Sequence, residues 1–325
     1  MLDSFGRSIN YLRISVTDRC NLRCIYCMPP EGVPQITHSE VLSYEEIRTV
    51  VQAAAELGIN RVRLTGGEPL VRADLPKLIK MLSQIEGIEE LSLTTNGTVL
   101  KKYARELKQA GLSRVNVSLD TLKPDKFRYV TRLGELKTVL EGIEAAKEAG
   151  FKPVKINTVV MRGINDDEIL DFARMTYKDG WHVRFIELMP FKGVAEFVPS
   201  LELRQHISLL GKLEPCPDSI GITSNGPATY YRLVGAEGTI GFISPLTETA
   251  FCSRCNRMRL TSDGKLRPCL LGEDEIDLKM PLRNNASMEE LKRLILKAVA
   301  SKPEHHHVEG GKIRLVKRKM SQIGG

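Results

Sequence analysis

Between residue 11 and about residue 190 the chain alternates short β-rich runs with amphipathic helical stretches, and no other feature limits its fold so sharply. Strands are expected over residues 12–16, 61–65, 91–95, 114–119, 154–160 and 183–188. Each is rich in β-branched residues and stays within ordinary strand length. Between the first two, Ser43 and Glu46 form a capping box that opens a helix, and Gly58 stops it. Further helices are expected over 73–85, 99–110 and 136–149, and Asn165 stands where it can cap another running to about Lys178. Strand, helix and strand repeated in this way pack as a parallel sheet with the helices outside. Six units are too few for a full eight-stranded barrel. The expected fold is therefore α/β, an incomplete (partial) TIM barrel of about six parallel βα units, with a doubly wound sheet as the alternative.

Beyond residue 190 the pattern changes. A helix is expected over 201–210, hairpins over 230–233 with 239–243 and over 257–261 with 265–268, and a last helix over 288–300. This reads as a smaller C-terminal α+β region that closes the open side of the barrel. The expected division is a barrel domain, residues 1–190, and a C-terminal region, residues 191–325.

The unusual residues collect at one end of the expected strands. Cys20, Cys24 and Cys27, spaced C-x3-C-x2-C, follow the first strand, and Gly66, Gly67, Glu68 and Pro69 follow the second. Thr94, Thr95, Asn96 and Gly97 end the third, Ser118 and Asp120 the fourth, and Glu187, Met189 and Pro190 the sixth. Active sites of barrels lie on this C-terminal face. Three thiols on one tight loop suit a single metal centre, because thiolate is the ligand that iron–sulfur clusters and zinc prefer. A cubane has four irons, so three cysteines leave one iron open to another ligand; a structural zinc loop is the plainer reading.

A second set, Cys252, Cys255 and Cys269, has the spacing C-x2-C-x13-C. Here zinc competes, but a closed zinc site needs a fourth ligand, from the His305-His306-His307 run or from Cys216. Otherwise the histidine run reads as solvated surface. No apolar leader and no stretch long enough to cross a bilayer are seen, which implies a cytoplasmic protein whose thiols stay reduced. The formal net charge of +7 suits an anionic partner without choosing among nucleotide, nucleic acid and acidic surface. The scarcity of interleaved aromatic residues argues against a single-strand binder. Arg13, Arg63 and Lys155 are odd choices inside barrel strands, since buried charges must be paired or bound to something. In an extended strand Arg257 and Arg259 point the same way, and two guanidiniums on one face suit a polyphosphate.

The first loop, with Tyr26 directly before its last cysteine, resembles the signature of the radical S-adenosylmethionine (SAM) superfamily. With the second cysteine set, the Arg257-Met258-Arg259 triplet and Gly324-Gly325, the whole chain resembles the GTP 3′,8-cyclase family within it. That resemblance implies two [4Fe-4S] clusters, the first on the catalytic trio Cys20, Cys24 and Cys27 and the second on Cys252, Cys255 and Cys269. It implies that Tyr26, Gly67, Ser118 and Met189 contact SAM. It assigns Arg13, Arg63, Thr94, Lys155, Arg257, Met258 and Arg259 to GTP, Met258 through its backbone alone, and leaves open whether Thr94 or Thr95 faces inward. The implied reaction is that of a lyase. A 5′-deoxyadenosyl radical removes the ribose 3′ hydrogen, and GTP closes to (8S)-3′,8-cyclo-7,8-dihydroguanosine 5′-triphosphate, the first step of molybdenum cofactor (molybdopterin) biosynthesis. The implied partners are GTP, a one-electron reductant and a downstream cyclic pyranopterin monophosphate synthase, with no membrane, no nucleic acid, and a monomer or homodimer. The family's tail reaches into the site, so Gly324-Gly325 is expected there, with Arg314, Lys317, Arg318 and Lys319 either guiding it or simply solvated. A peptide-modifying radical SAM enzyme and a non-catalytic zinc or electron-transfer module are the competing readings.

Overall fold

The computed structural model describes residues 1–34, 36–189, 195–216, 226–306 and 318–324, and the short ribbon Val308–Glu309 with Lys312–Ile313. Of the residues singled out in the sequence, Pro190, His307, Arg314, Lys317 and Gly325 lie outside the described residues.

Six parallel strands lie side by side in chain order: β1 (Tyr11–Ser15), β2 (Arg61–Thr65), β3 (Glu90–Thr95), β4 (Arg114–Ser118), β5 (Lys155–Val160) and β6 (His182–Glu187). Between them run the helices α1 (Tyr44–Glu56), α2 (Leu75–Ser83), α3 (Leu100–Gln109), α4 (Pro124–Thr131), α5 (Leu136–Glu148) and α6 (Ile169–Lys178). Strand alternation sorts the side chains. Leu12, Ile14, Val62, Leu64, Leu91, Leu93, Val115 and Val117 are buried in one continuous apolar cluster with the inner faces of the helices. Their neighbours Arg13, Arg63, Ser92, Thr94, Asn116 and Lys155 fall on the opposite, concave face. The capping box is formed, since Ser43 Oγ accepts from the Glu46 amide at 3.0 Å and the Glu46 carboxylate accepts from the Ser43 amide at 2.6 Å.

Two details differ from the sequence reading. Helix α4 was not foreseen; Pro124 occupies its first turn, where a missing N–H costs nothing. Asn165 does not cap α6. Its side-chain amide donates to the carbonyls of Asp120 and Val159, and a short 3₁₀ turn, Asp166–Glu168, opens the helix instead.

The C-terminal region does more than close the open side, because it lengthens the sheet at both edges. Strands β7 (Leu213–Pro215), β8 (Thr229–Leu233) and β9 (Thr239–Ile243) continue it from β6, and β9 pairs with β6 in parallel. At the other edge β10 (Arg257–Leu260) pairs in parallel with β1, followed by β11 (Lys265–Arg267) and β12 (Ile276–Asp277). An open barrel edge carries unpaired backbone N–H and C=O groups, and these strands satisfy them. The result is a partial (β/α) barrel within one twelve-stranded sheet. Among the described residues, no helix is long and apolar enough to cross a membrane.

Candidate active site

The first cysteine loop leaves the C-terminal end of β1 and is pinned by the unforeseen α4. The Ile25 amide donates to Val130 O at 2.9 Å, and the Arg132 guanidinium donates to Arg23 O at 2.7 Å and Met28 O at 3.0 Å. Ile25 packs with Val130, Met161 and Leu188, with Tyr26 against their edge. The Tyr26 hydroxyl donates to Asp120 Oδ2 at 2.7 Å, and burial raises the Asp120 carboxyl to about 6. Burial also pushes the Cys20 thiol up to about 11, and burial with the Asp120, Cys27 and Cys20 charges raises Cys24 well above its ordinary range. Cys20 and Cys24, two buried thiols of the trio that resist ionisation, fit a centre whose positive irons would hold them as thiolates. Two donors already face the first of them: the Leu22 amide, 3.4 Å from Cys20 Sγ, and the Asn96 side chain at 4.0 Å.

The Gly66-Gly67 turn lies against the backbone that enters this loop. The Gly67 amide donates to Thr17 O and the Glu68 amide to Arg19 O, both at 2.8 Å. A β-carbon on Gly67 would meet the Arg19 carbonyl carbon at 2.6 Å and Asp18 O at 2.8 Å, so glycine is required by close approach. The Glu68 carboxylate accepts from the Leu70 amide at 3.0 Å, Thr95 Oγ1 at 2.7 Å and the Asn96 amide at 2.6 Å, which ties this turn to the end of β3. Ser118 ends β4 on the same mouth, and Met189 follows β6, half-buried.

Below this mouth the concave face is basic. Partnered positions Arg259, Arg13, Arg63 and Ser92 run across β10, β1, β2 and β3, with Thr94, Asn116 and Lys155 one layer nearer the mouth on β3, β4 and β5. Arg63, Lys155, Arg184 and Arg259 are all buried. Thr94 Oγ1 lies 3.4 Å from Arg63 Nη1, whereas Thr95 turns to Glu68, so Thr94 is the inward threonine. The described partners of Arg63 and Arg259 are the Tyr11 phenol, the Thr94 hydroxyl and the Gly324 carbonyl rather than carboxylates. The cations also repel one another. Burial first, then the charges of Arg184, Arg114 and Arg63, lower Lys155 to about 6. Burial first, then Arg257, lowers Arg259 to about 10. Arg184 Nε and Asn157 Oδ1 are buried with no hydrogen-bond partner among the described residues. Buried like charges and orphaned polar atoms are what a polyanion would satisfy. Met258 takes no side-chain part; it is 1 % exposed and packs in the apolar core behind the sheet. Gly324 reaches the lumen, where its carbonyl accepts from Arg13 Nη2 and Arg259 Nη1, each at 3.3 Å. Arg318 stands outside, paired with Asp263 and Glu275.

The second cysteine set is assembled by a hairpin. Cys252 and Cys255 precede β10, Cys269 follows the antiparallel β11, and the three meet at the N-terminal end of β10. Buried Lys302 binds the two arms together, donating to Arg257 O at 2.9 Å and Pro268 O at 2.5 Å. Burial opposes ionisation of Cys255, but the Arg257 and Lys302 charges outweigh it and bring its thiol down to about 6. Among the described residues, no group of three or more His, Cys, Asp or Glu side chains is arranged so that it could hold a metal ion. Cys216 stands apart at the end of β7, half-buried. Sequence reasoning missed Arg184, Lys302 and Tyr230, whose hydroxyl accepts from Lys155 Nζ at 3.3 Å. For Arg184 the signal was present, because it alternates inward on β6 as Arg13 does on β1.

Residues 14–176 match the Radical SAM superfamily, and residues 181–308 match Molybdenum Cofactor Synthesis C. Among solved structures, Streptococcus suis SuiB bound to S-adenosylmethionine superposes with a TM-score of 0.62 at 15 % identity, covering 83 % of this chain and 63 % of that one. Native anSMEcpe with bound AdoMet gives 0.57 at 17 % identity, covering 91 % and 81 %. Fold and cysteine loop together define a radical SAM enzyme. The curated GTP 3′,8-cyclase of Moorella thermoacetica is 54 % identical and that of Pelotomaculum thermopropionicum 53 %, each match covering 100 % of both chains. The chain belongs to the GTP 3′,8-cyclase family.

Proposed function

We propose that this chain converts GTP to (8S)-3′,8-cyclo-7,8-dihydroguanosine 5′-triphosphate, the first step of molybdenum cofactor biosynthesis, as a cytoplasmic radical SAM lyase. The observation that carries the reading is the cationic lumen, buried Arg63, Lys155, Arg184 and Arg259 with half-buried Arg13, lying between two three-thiol sets. In this reading Cys20, Cys24 and Cys27 hold one [4Fe-4S] cluster and Cys252, Cys255 and Cys269 another, each with one iron left open. The first cluster with SAM supplies one-electron cleavage of the sulfonium and hydrogen-atom abstraction from the substrate ribose. Tyr26, Gly67, Ser118 and Met189 line the SAM side. Arg13, Arg63, Lys155, Arg257 and Arg259 hold the triphosphate, with Thr94 beside Arg63 and Met258 contributing backbone only. Residues 1–190 thereby carry the SAM chemistry and residues 191–325 the second cluster and part of the nucleotide site. A one-electron reductant feeds the first centre, and a cyclic pyranopterin monophosphate synthase takes the product.

Anaerobic reconstitution with iron and sulfide tests this directly. The protein should take up about eight irons per chain. Given SAM, dithionite and GTP, it should form 5′-deoxyadenosine together with a cyclised guanosine nucleotide. Absence of any GTP-dependent product refutes the assignment.

A further inference from the structure

The middle residue of the histidine run is not the solvated surface that the sequence suggested. His305 is exposed, but His306 is half-buried and its Nδ1 lies 2.9 Å from Cys252 Sγ. The segment that presents it is held by a dedicated clamp. Arg7, itself buried and paired with Asp3 at 2.6 Å, donates from Nη1 to Cys252 O at 3.0 Å and to Glu304 O at 2.9 Å. Its Nη2 donates to Pro303 O at 2.7 Å. One guanidinium thus fixes the cysteine together with Pro303 and Glu304, a short way upstream of His306, while Lys302 anchors the same segment to the arms of the thiol set.

We propose that His306 is a positioning residue of the second centre, donating its Nδ1–H to Cys252 Sγ and making that centre easier to reduce. The inference rests on the reading above, that Cys252, Cys255 and Cys269 hold an iron–sulfur cluster. A thiolate bound to iron has no proton to give, so the hydrogen bond fixes the imidazole as donor and its tautomer as the Nδ1–H form. Hydrogen bonds to cluster sulfurs stabilise the more negative, reduced state and so raise the reduction potential. The distance argues against His306 as a fourth ligand. A nitrogen and a sulfur on one tetrahedral metal stand about 3.5 Å apart. On a cubane the iron without a cysteine is not the one Cys252 holds, so a ligating nitrogen would lie farther away still.

The test uses the full chain, reconstituted anaerobically, and an EPR-monitored redox titration without SAM or GTP. In wild type two cluster signals should titrate. In His306→Ala the midpoint of one signal should move to lower potential while the other stays put. His306→Asn, which keeps an N–H donor, should restore part of the shift, and His305→Ala should leave both midpoints alone. Two signals with an unchanged midpoint in His306→Ala overturn the proposal. A wild type with one signal and about four irons overturns instead the reading on which it rests. Pulsed EPR on wild type labelled with ¹⁵N-histidine needs no variant. A weak coupling to the second cluster supports the hydrogen bond, and a strong coupling, as from a directly bound nitrogen, overturns it.

Discussion

Replacing Gly67 by alanine asks whether the first cysteine loop depends on the turn behind it. The added carbon would stand 2.6 Å from the Arg19 carbonyl carbon and 2.8 Å from Asp18 O, where ordinary contact begins at 3.4 Å. The obstacle is backbone, so no side chain can swing aside. The chain at Asp18–Arg19 must retreat by close to 1 Å, and Cys20 is the next residue. Two hydrogen bonds, from Gly67 N–H to Thr17 O and from Glu68 N–H to Arg19 O, lengthen with it. Overpacking of this kind costs about 1–3 kcal/mol, and a 1 Å misplacement at a reacting centre costs on the order of 100-fold in rate. Gly67→Ala should therefore lower 5′-deoxyadenosine formation by about 100-fold while lowering the melting temperature by only a few degrees. Gly150→Ala is the control, because its position has φ +83° with no atom within 4 Å of the added carbon. It should cost about 1 kcal/mol of stability and no activity. Near-wild-type SAM cleavage by Gly67→Ala would refute the claim that close approach of this turn sets the loop.

The two thiol sets are separable. Cys24→Ala should lose SAM cleavage, and Cys255→Ala should keep part of it while losing cyclisation, with iron falling to about four per chain in each; loss of all iron in either variant contradicts independent centres. Arg259→Ala removes a buried guanidinium from the lumen, and calorimetry should show GTP binding about 10- to 100-fold weaker, since a charge-assisted hydrogen bond contributes about 1.5–3 kcal/mol; unchanged affinity rules out a phosphate contact. Lys155, brought down to about 6 by burial and its cationic neighbours, is mostly neutral at pH 8 in the free protein. A bound triphosphate favours its charged form, so GTP binding should take up a proton there and weaken as pH rises above 6. Calorimetry in buffers of different ionisation enthalpy reads that proton, and Lys155→Met should abolish its uptake.

What was legible in the sequence was whatever has a local cause. Strand alternation alone put Arg13, Arg63 and Lys155 on the inner face. The capping box at Ser43 marked a helix start to the residue, because it is a bond between positions three apart. The hairpin glycines marked β8–β9 and β10–β11. What was hidden has distant causes. Nothing within 257–260 announces that β10 lies beside β1, some 240 residues earlier, since the pairing answers to an open edge elsewhere. The choice between Thr94 and Thr95 was undecidable from alternation without the Arg63 side chain beside one and Glu68 beneath the other. Helix α4 is eight residues long, too short for its periodicity to stand out, yet it supports the cysteine loop. His306 carries no local mark at all; its partner is Cys252, and Arg7 clamps Pro303 and Glu304, three and two residues before it.

The β1–β10 pairing also decides how the two thiol sets can cooperate. Because β10 runs parallel to β1 with Arg257 opposite Tyr11, Cys255 lies near the strands' N-terminal ends, whereas Cys20 lies beyond Ser15 at their C-terminal ends. The four residue steps from Tyr11 to Ser15 alone separate these levels by about 13 Å. That is far too long for the two centres to act on one atom. It suits a nucleotide that lies along the lumen between the two thiol sets, with Arg13, Arg63 and Arg259 at matched register to hold its triphosphate as proposed above. The spacing is fixed by a hydrogen-bonded ladder rather than by a hinge, so sheet register sets the distance between the two thiol sets.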